Sequence, residues 1–243
     1  MEKIEELVNT FNIKLYNKES KENLNLLAQE IQIETMRSYS KNTPFITRRH
    51  IFSEFELKKW NCLSYYIKPS KKICLFDTGF GSGRDLLLAK SYGYSVYGCE
   101  LSKYMYEDFI TTNEIQKSHL ICCDMRTIPF PNERFDIVRH NASFLHMQMI
   151  GKGYTIHSCL DESYRLLKKN GILYIFIKEG NGFITLDTLD GLGKRPFQLF
   201  SEELLKKVLQ ECNFKTLEIN HYERNRNGQI IYWIEVYAKK LEI

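Results

Sequence analysis

Residues 73–87, Ile-Cys-Leu-Phe-Asp-Thr-Gly-Phe-Gly-Ser-Gly-Arg-Asp-Leu-Leu, constrain the fold of this 243-residue chain more than any other stretch. A short apolar run leads directly into Gly79, Gly81 and Gly83, and then into a helix-forming segment. A turn that tight needs positive φ or close backbone approach, which glycine supplies at little steric cost. The helix that starts behind it offers free N–H groups to a polar ligand. A dinucleotide fingerprint, G-x-G-x-x-G, does not fit: counted from Gly79 its third small residue falls on Arg84, and from Gly81 on Leu86. A P-loop would close on Gly-Lys-Ser/Thr, and Gly-Arg-Asp stands here instead. What remains is G-x-G-x-G with Asp77 two residues ahead.

Around this turn the chain alternates. Strand-like runs at 72–76, 95–99, 119–123, 135–139 and 171–178 are separated by helical stretches at 83–92, 103–113 and 154–169. Crossover helices between strands imply a parallel sheet. After a helix at 201–212, two further strands at 214–223 and 229–238 are joined by Arg-Asn-Arg-Asn-Gly, which leaves no room for a crossover. They must be antiparallel neighbours. The expected fold is α/β, with a mostly parallel seven-stranded sheet ending in a C-terminal antiparallel hairpin. Residues 2–12, 20–38 and 53–67 carry apolar positions at helical spacing, so 1–69 is expected to form a helical N-terminal cap and 70–243 the core. Residues 179–198 hold Gly180, Gly182, Gly191, Gly193 and Pro196 and fit neither period. They follow the fifth strand, on the sheet edge where open α/β folds bind ligands.

Charge and cysteine usage exclude several function classes. The 34 basic and 30 acidic side chains leave a net +4, and the basic pairs are scattered singly along the chain. That pattern argues against nucleic acid or an anionic membrane as partner. The longest apolar run, Ile172 to Ile177, is far short of the ~20 residues of a membrane span. The start lacks the build of a signal peptide, so a cytoplasmic location is expected. Seven cysteines occur without a C-x-x-C pair, which argues against a zinc site and for small buried hydrophobes; no metal and no disulfide framework is expected.

The ordered motifs resemble those of the class I S-adenosylmethionine-dependent methyltransferases. An acid and G-x-G-x-G end the first strand (Asp77, Gly79, Gly81, Gly83), an acid ends the second (Glu100 in Val-Tyr-Gly-Cys-Glu-Leu-Ser), and an Asp follows the third (Asp124 in Ile-Cys-Cys-Asp-Met). Phe-Asp-Ile-Val-Arg-His-Asn-Ala-Ser-Phe-Leu-His at 135–146 and Leu-Leu-Lys-Lys-Asn-Gly-Ile-Leu at 166–173 extend the likeness, which covers about 70–243. It implies a Rossmann-like sheet and S-adenosylmethionine as cofactor. Glu100 would accept from the ribose hydroxyls, with Leu101 beside it. Asp124 and the Met125 backbone would face the adenine, and Asp77 and the Gly79 region the methionine ammonium. Asn141 would contact the cofactor or orient the acceptor, and Tyr16, in Tyr16-Asn17, matches an element common near the N-terminus of small-molecule members. Phe80 departs from the pattern, since a small residue is usual there; it either crowds the ligand or points into the sheet–helix interface. Asp85 reads as a first-turn acid favoured by the helix dipole.

Transfer of a methyl group from a sulfonium mainly requires holding the acceptor close and in line. An oxygen acceptor would also need a base. The loop after the fourth strand supplies His146, with His140 as second choice. Tyr39, Phe45, Tyr154, Phe183 and Phe197 are candidates to roof an acceptor pocket, with Tyr154 as a substrate contact. Arg195, in Lys-Arg-Pro-Phe, resembles an Arg-x-Phe element of the same subgroup and would pair with an acidic acceptor or brace the loop. The expectation is methyl transfer to an O, N or S atom of a small molecule. An RNA or protein methyltransferase, and a non-catalytic domain that binds S-adenosylmethionine, stand as alternatives.

Overall fold

The computed structural model describes residues 2–47, 54–148, 156–187, 194–226 and 228–242. Five strands, β1 (Cys74–Thr78), β2 (Ser95–Glu100), β3 (Leu120–Cys122), β4 (Phe135–Asn141) and β5 (Leu167–Lys178), pair in parallel. The C-terminal pair, β8 (Phe214–Arg226) and β9 (Gln229–Lys240), joins antiparallel, and β9 docks against β5. The sheet order is β3-β2-β1-β4-β5-β9-β8, so the seven-stranded, mostly parallel α/β sheet with its terminal hairpin is as expected. The order reverses between β1 and β4, and the loops leaving those two strands open a crevice at the sheet's C-terminal edge.

Alternation along each strand builds two core layers. One face holds Phe76, Val138, Leu173, Ile175 and Ile177, covered by α6 (Ile156–Leu166) and α7 (Glu202–Glu211) through Leu160, Leu205 and Val208. The other holds Leu75, Ile137, Tyr174 and Phe176, covered by α3 (Glu54–Tyr66) through Trp60 and Leu63 and by α4 (Arg84–Tyr92) through Leu86. Each such side chain removed from water contributes roughly 1.5–3 kcal/mol. α3 therefore belongs to the sheet's own layering. α1 (Glu2–Tyr16) and α2 (Lys21–Thr47) instead form a separate cluster, in which Leu7, Val8, Phe11, Leu24, Ala28 and Ile31 meet Ile184.

Ile184 lies within residues 179–198, where neither sequence period fits but the structure forms strands. β6 (Ile184–Asp187) and β7 (Arg195–Gln198) form a separate antiparallel pair. Each has four residues, too few for a period to register, and β7 is buried along its whole length with Pro196 in it. Asn12 of α1 completes the pairing of β6, donating to the Ile184 carbonyl at 2.8 Å and accepting from its N–H at 3.0 Å.

The glycine turn sits where the periodicity placed it. Gly83 caps α4 with φ 72°, and a Cβ there would lie 1.9 Å from the Phe109 ring of α5 (Lys103–Thr112). Gly83→Ala combines left-handed backbone with overpacking, so we expect a loss of about 2–5 kcal/mol in urea unfolding. An unchanged midpoint would contradict this account.

Candidate functional site

The crevice holds a cavity of about 280 Å³ whose floor is the glycine turn. Gly79 has φ 63° and its Cα lies so close to the loop after β4 that a Cβ would come within 2.8 Å of Ser143 Cβ. The backbone is thus pressed against the neighbouring loop. Phe80 turns its ring into the interface between α5 and the sheet, 5.2 Å from Phe109 between centroids, so its bulk lies beside the floor. Glu100, at the tip of β2, accepts from the Gly81 N–H and the Ser102 N–H, each at 2.8 Å. Burial pushes its pKa up, against the pull of these N–H groups. A carboxylate oxygen carries more than one acceptor site, so Glu100 can hold the turn and still receive hydroxyl donors from the cavity. Leu101, Met105, Met125 and Cys99 supply an apolar wall at this end.

Beyond the turn lies a buried charge cluster. Arg139, in the middle of β4, is sandwiched by Trp60 and Tyr174 at 4.8 and 5.0 Å from the ring centroids. It is ion-paired at 3.2 Å to both Asp77 and Asp85. Burial alone would lower the arginine's pKa, but the two carboxylates reverse that and hold it charged. The two acids differ. Desolvation raises Asp77 despite Arg139, whereas at Asp85 the pull of Arg139, Arg84 and Lys59, with a hydrogen bond from Asn141, outweighs desolvation and holds the carboxyl below its usual range. Asn141 donates to Asp85 Oδ2 at 2.7 Å and accepts from Lys59 Nζ at 3.4 Å. Burial, then the nearby Arg139, lowers Lys59 to about 7.

The far end of the cavity is roofed by α2, through Gln32, Thr35, Met36 and Tyr39, and walled by His146 from the turn after β4. The Tyr39 hydroxyl is 2.9 Å from His146 Nε2 and accepts from Arg195 of β7 at 3.2 Å. Arginine only donates, so the Tyr39 oxygen is the acceptor in that pair. Phe197 packs on the other side of the imidazole at 5.1 Å.

Of the residues singled out from sequence, Gly79, Gly81, Glu100, Leu101, Met125, Asn141, His146 and Tyr39 line this cavity. Gly83 shapes the turn beneath it. Asp77 is only 3% exposed and sits behind the wall on Arg139. Asp124 is outside the wall too: Arg126 grips both its carboxylate oxygens, through Nε at 2.8 Å and through a second, shorter bond. Tyr16 ends α1 with 77% of its surface exposed. His140 is fully buried on the opposite face of β4, bonded to Thr78 Oγ1 and, at 2.8 Å, to Ser163 Oγ. Arg195 lies behind Tyr39. Phe183 opens the β6 hairpin outside the cavity wall. Tyr154 and the side chain of Phe45 lie outside the described residues. Asp85, Arg84, Arg139, Lys59 and Gln32 were not singled out as site residues. The available signal was Arg139 itself: an arginine inside a central apolar strand demands a buried carboxylate, and the acids flanking the glycine turn are in reach.

Residues 76–175 match the family model of a methyltransferase domain. No curated protein matches the chain. Among solved structures, an S-adenosylmethionine-dependent methyltransferase from Methanosarcina mazei superposes with a TM-score of 0.62 at 19% identity, covering 75% of this chain and 98% of that one. The 1,6-didemethyltoxoflavin N1-methyltransferase of Burkholderia thailandensis, solved with its acceptor and S-adenosylhomocysteine, gives 0.58 at 17%, covering 75% and 76%. The cyclase SpnF gives 0.59 at 15%, covering 79% and 83%. The fold is that of the class I S-adenosylmethionine-dependent methyltransferases. Among the described residues no helix is long and apolar enough to cross a membrane.

His140 yields a test of the core beside the site. Burial, with Arg139 nearby, lowers its pKa from 6.5 to about 3. The neutral ring therefore contributes stability in full above pH 6.5, and this contribution is lost at about 1.4 kcal/mol per pH unit as pH falls toward 3. In NMR titration the His140 Cε1–H shift should stay flat from pH 8 to 5. A midpoint near 6.5 would contradict the burial argument.

Proposed function

We propose that this chain, which carries a methyltransferase domain at residues 76–175 on the class I fold, binds S-adenosylmethionine in the β1–β2–β4 cavity and methylates a small molecule. The observation that carries the reading is the pairing of Glu100 with the glycine turn: an acceptor-only carboxylate fixed at the floor of a cavity, beside an apolar wall. The residues present fit the cofactor. Glu100 takes the ribose hydroxyls, and Leu101, Met105 and Met125 take the adenine faces. Once bound, the cofactor supplies an electrophilic methyl group on a sulfonium.

The chain's own part is positioning and proton transfer. Alignment of an acceptor at near-contact distance can supply roughly 7–11 kcal/mol of the barrier. The roof from α2 and the wall at His146 set that distance. An acceptor hydroxyl or amine at this end gives up its proton to the Tyr39–His146 pair as its bond to the methyl group forms. Arg195 favours negative charge on the same oxygen. The scattered basic pairs of the sequence favour a small acceptor over RNA. The neighbour from Burkholderia thailandensis, whose acceptor is a small heterocycle, lends support to the same reading.

Two measurements test this. Calorimetric titration with S-adenosylhomocysteine should show binding by the wild type, weakened roughly ten-fold or more in Glu100→Gln. No binding by wild type would refute the reading, and an unchanged Glu100→Gln would place the ribose elsewhere. Incubation of labelled donor with metabolite extracts should label a small molecule. His146→Gln and Tyr39→Phe should each slow that transfer by roughly 100-fold or more while S-adenosylhomocysteine affinity holds within a few-fold. Labelling confined to RNA or protein would overturn the small-molecule acceptor.

A further inference from the structure

Three of the seven cysteines gather at the ends of β2 and β3, and no step of the proposed transfer involves them. Cys99 of β2 pairs in register with Ile121 of β3, and Glu100 with Cys122. Side chains alternate along a strand, so Cys99 and Cys123, two positions past Ile121, share one face of the sheet, and Cys122 takes the other. Cys99 and Cys123 both line the cavity, and their thiols meet in a hydrogen bond. Cys99 is 1% exposed and Cys123 half-buried, whereas Cys122 is exposed.

We infer that Cys99 and Cys123 are a redox-modifiable pair, which a low-molecular-weight disulfide converts to an intramolecular disulfide that closes the cavity to its ligand. The bridge stands on the placement of the two thiols; its effect on binding rests on the proposed cofactor site.

The two thiols are unequal. The hydrogen bond from Cys99 favours a thiolate at Cys123 and holds its pKa below the ordinary thiol value, against burial and the nearby Asp124 and Glu162. Donating that bond, together with burial, pushes Cys99 up. Cys123 is also the more accessible of the two, so it is the attacking sulfur. Its thiolate displaces one thiolate from the small disulfide and forms a mixed disulfide. Cys99 then loses its proton and attacks the Cys123 sulfur, releasing the second small thiolate. In sum, two protein thiols and one small disulfide become one protein disulfide and two small thiols.

The bridge would tie the glycine turn to the loop after β3. The Cys99 carbonyl accepts from the Phe80 N–H at 3.1 Å, and its sulfur faces the Gly79 N–H. Cys123 leads into Met125, whose side chain reaches the same glycine. Drawing the sulfurs from contact to bonding distance therefore displaces the floor and the apolar wall together, in a packed site that yields little.

The test uses the full chain, reduced, then held in hydroxyethyl disulfide, quenched with acid and alkylated. Peptide mass mapping should show Cys99 and Cys123 joined and Cys122 alkylated. In calorimetry the bridged protein should bind S-adenosylhomocysteine roughly ten-fold or more weakly than the reduced one, with affinity restored by dithiothreitol. That ratio should fall to near unity in Cys123→Ser and in Cys99→Ala, and persist in Cys122→Ser; either of the first two suffices if the other does not fold. Absence of the Cys99–Cys123 link, a lasting mixed disulfide at Cys123, or a link between Cys122 and Cys123 would overturn the pair. Bridging that leaves the affinity unchanged would overturn the closing of the cavity. A reduced wild type that does not bind S-adenosylhomocysteine would refute the cofactor reading, and the mass map would still decide the bridge.

Discussion

A single guanidinium, that of Arg139, ties the sheet to the helices at the point where the strand order reverses. It joins β4 to β1 through Asp77, to the first turn of α4 through Asp85, and to α3 through the face of Trp60. Removing one member of such a buried set strands a charge, which costs about 3–5 kcal/mol. A sheet centre made only of aliphatic side chains would be as stable, but it would not fix where Asp85 points. The cluster's cost in desolvation is offset by the two carboxylates and two aromatic faces, and its product is a carboxylate held ionised at the wall of a cavity.

Glu100 does the matching work on the other side of the glycine turn. Its two oxygens bind N–H groups on both flanks, from Gly81 and Ser102, so the end of β2 and the turn after β1 are held in register before any ligand enters. The turn can come this close because Gly98, the β2 residue paired with Asp77, leaves room: a Cβ there would lie 2.9 Å from the Asp77 carbonyl oxygen and 3.0 Å from the Phe80 ring. Phe80, which departs from the family pattern, is accommodated by a missing side chain on the adjacent strand.

The parts of this design that were legible in the sequence are those with a local period or a local steric demand. The strands β1 to β5, the crossover helices and the terminal hairpin follow from alternation and from a link too short for a helix. Gly83 and Glu100 follow from a turn that only certain residues can make and from an acid at a strand end. What escaped depends on pairings across long separations. Asp124 sits in the expected place along the chain, but both its oxygens are bonded to Arg126, two residues on. Asp85 looked like a helix-dipole acid because its partners, Asn141 and Arg139, come from β4, more than fifty positions away. The β6–β7 pair carried no period because its strands are four residues long, and its hydrogen bonding is completed by a side chain from α1.

That last contact joins parts that are distant in sequence. Asn12 and the Ile184 cluster fasten α1, α2 and the β6–β7 pair into one piece, and that piece carries both Tyr39 and Arg195. Any movement that lifts α2 to admit a molecule must pull the phenol away from His146, because roof and phenol ride on the same helix. Roof and hydrogen bond are therefore coupled: the Tyr39–His146 contact persists only while α2 stays seated over the cavity.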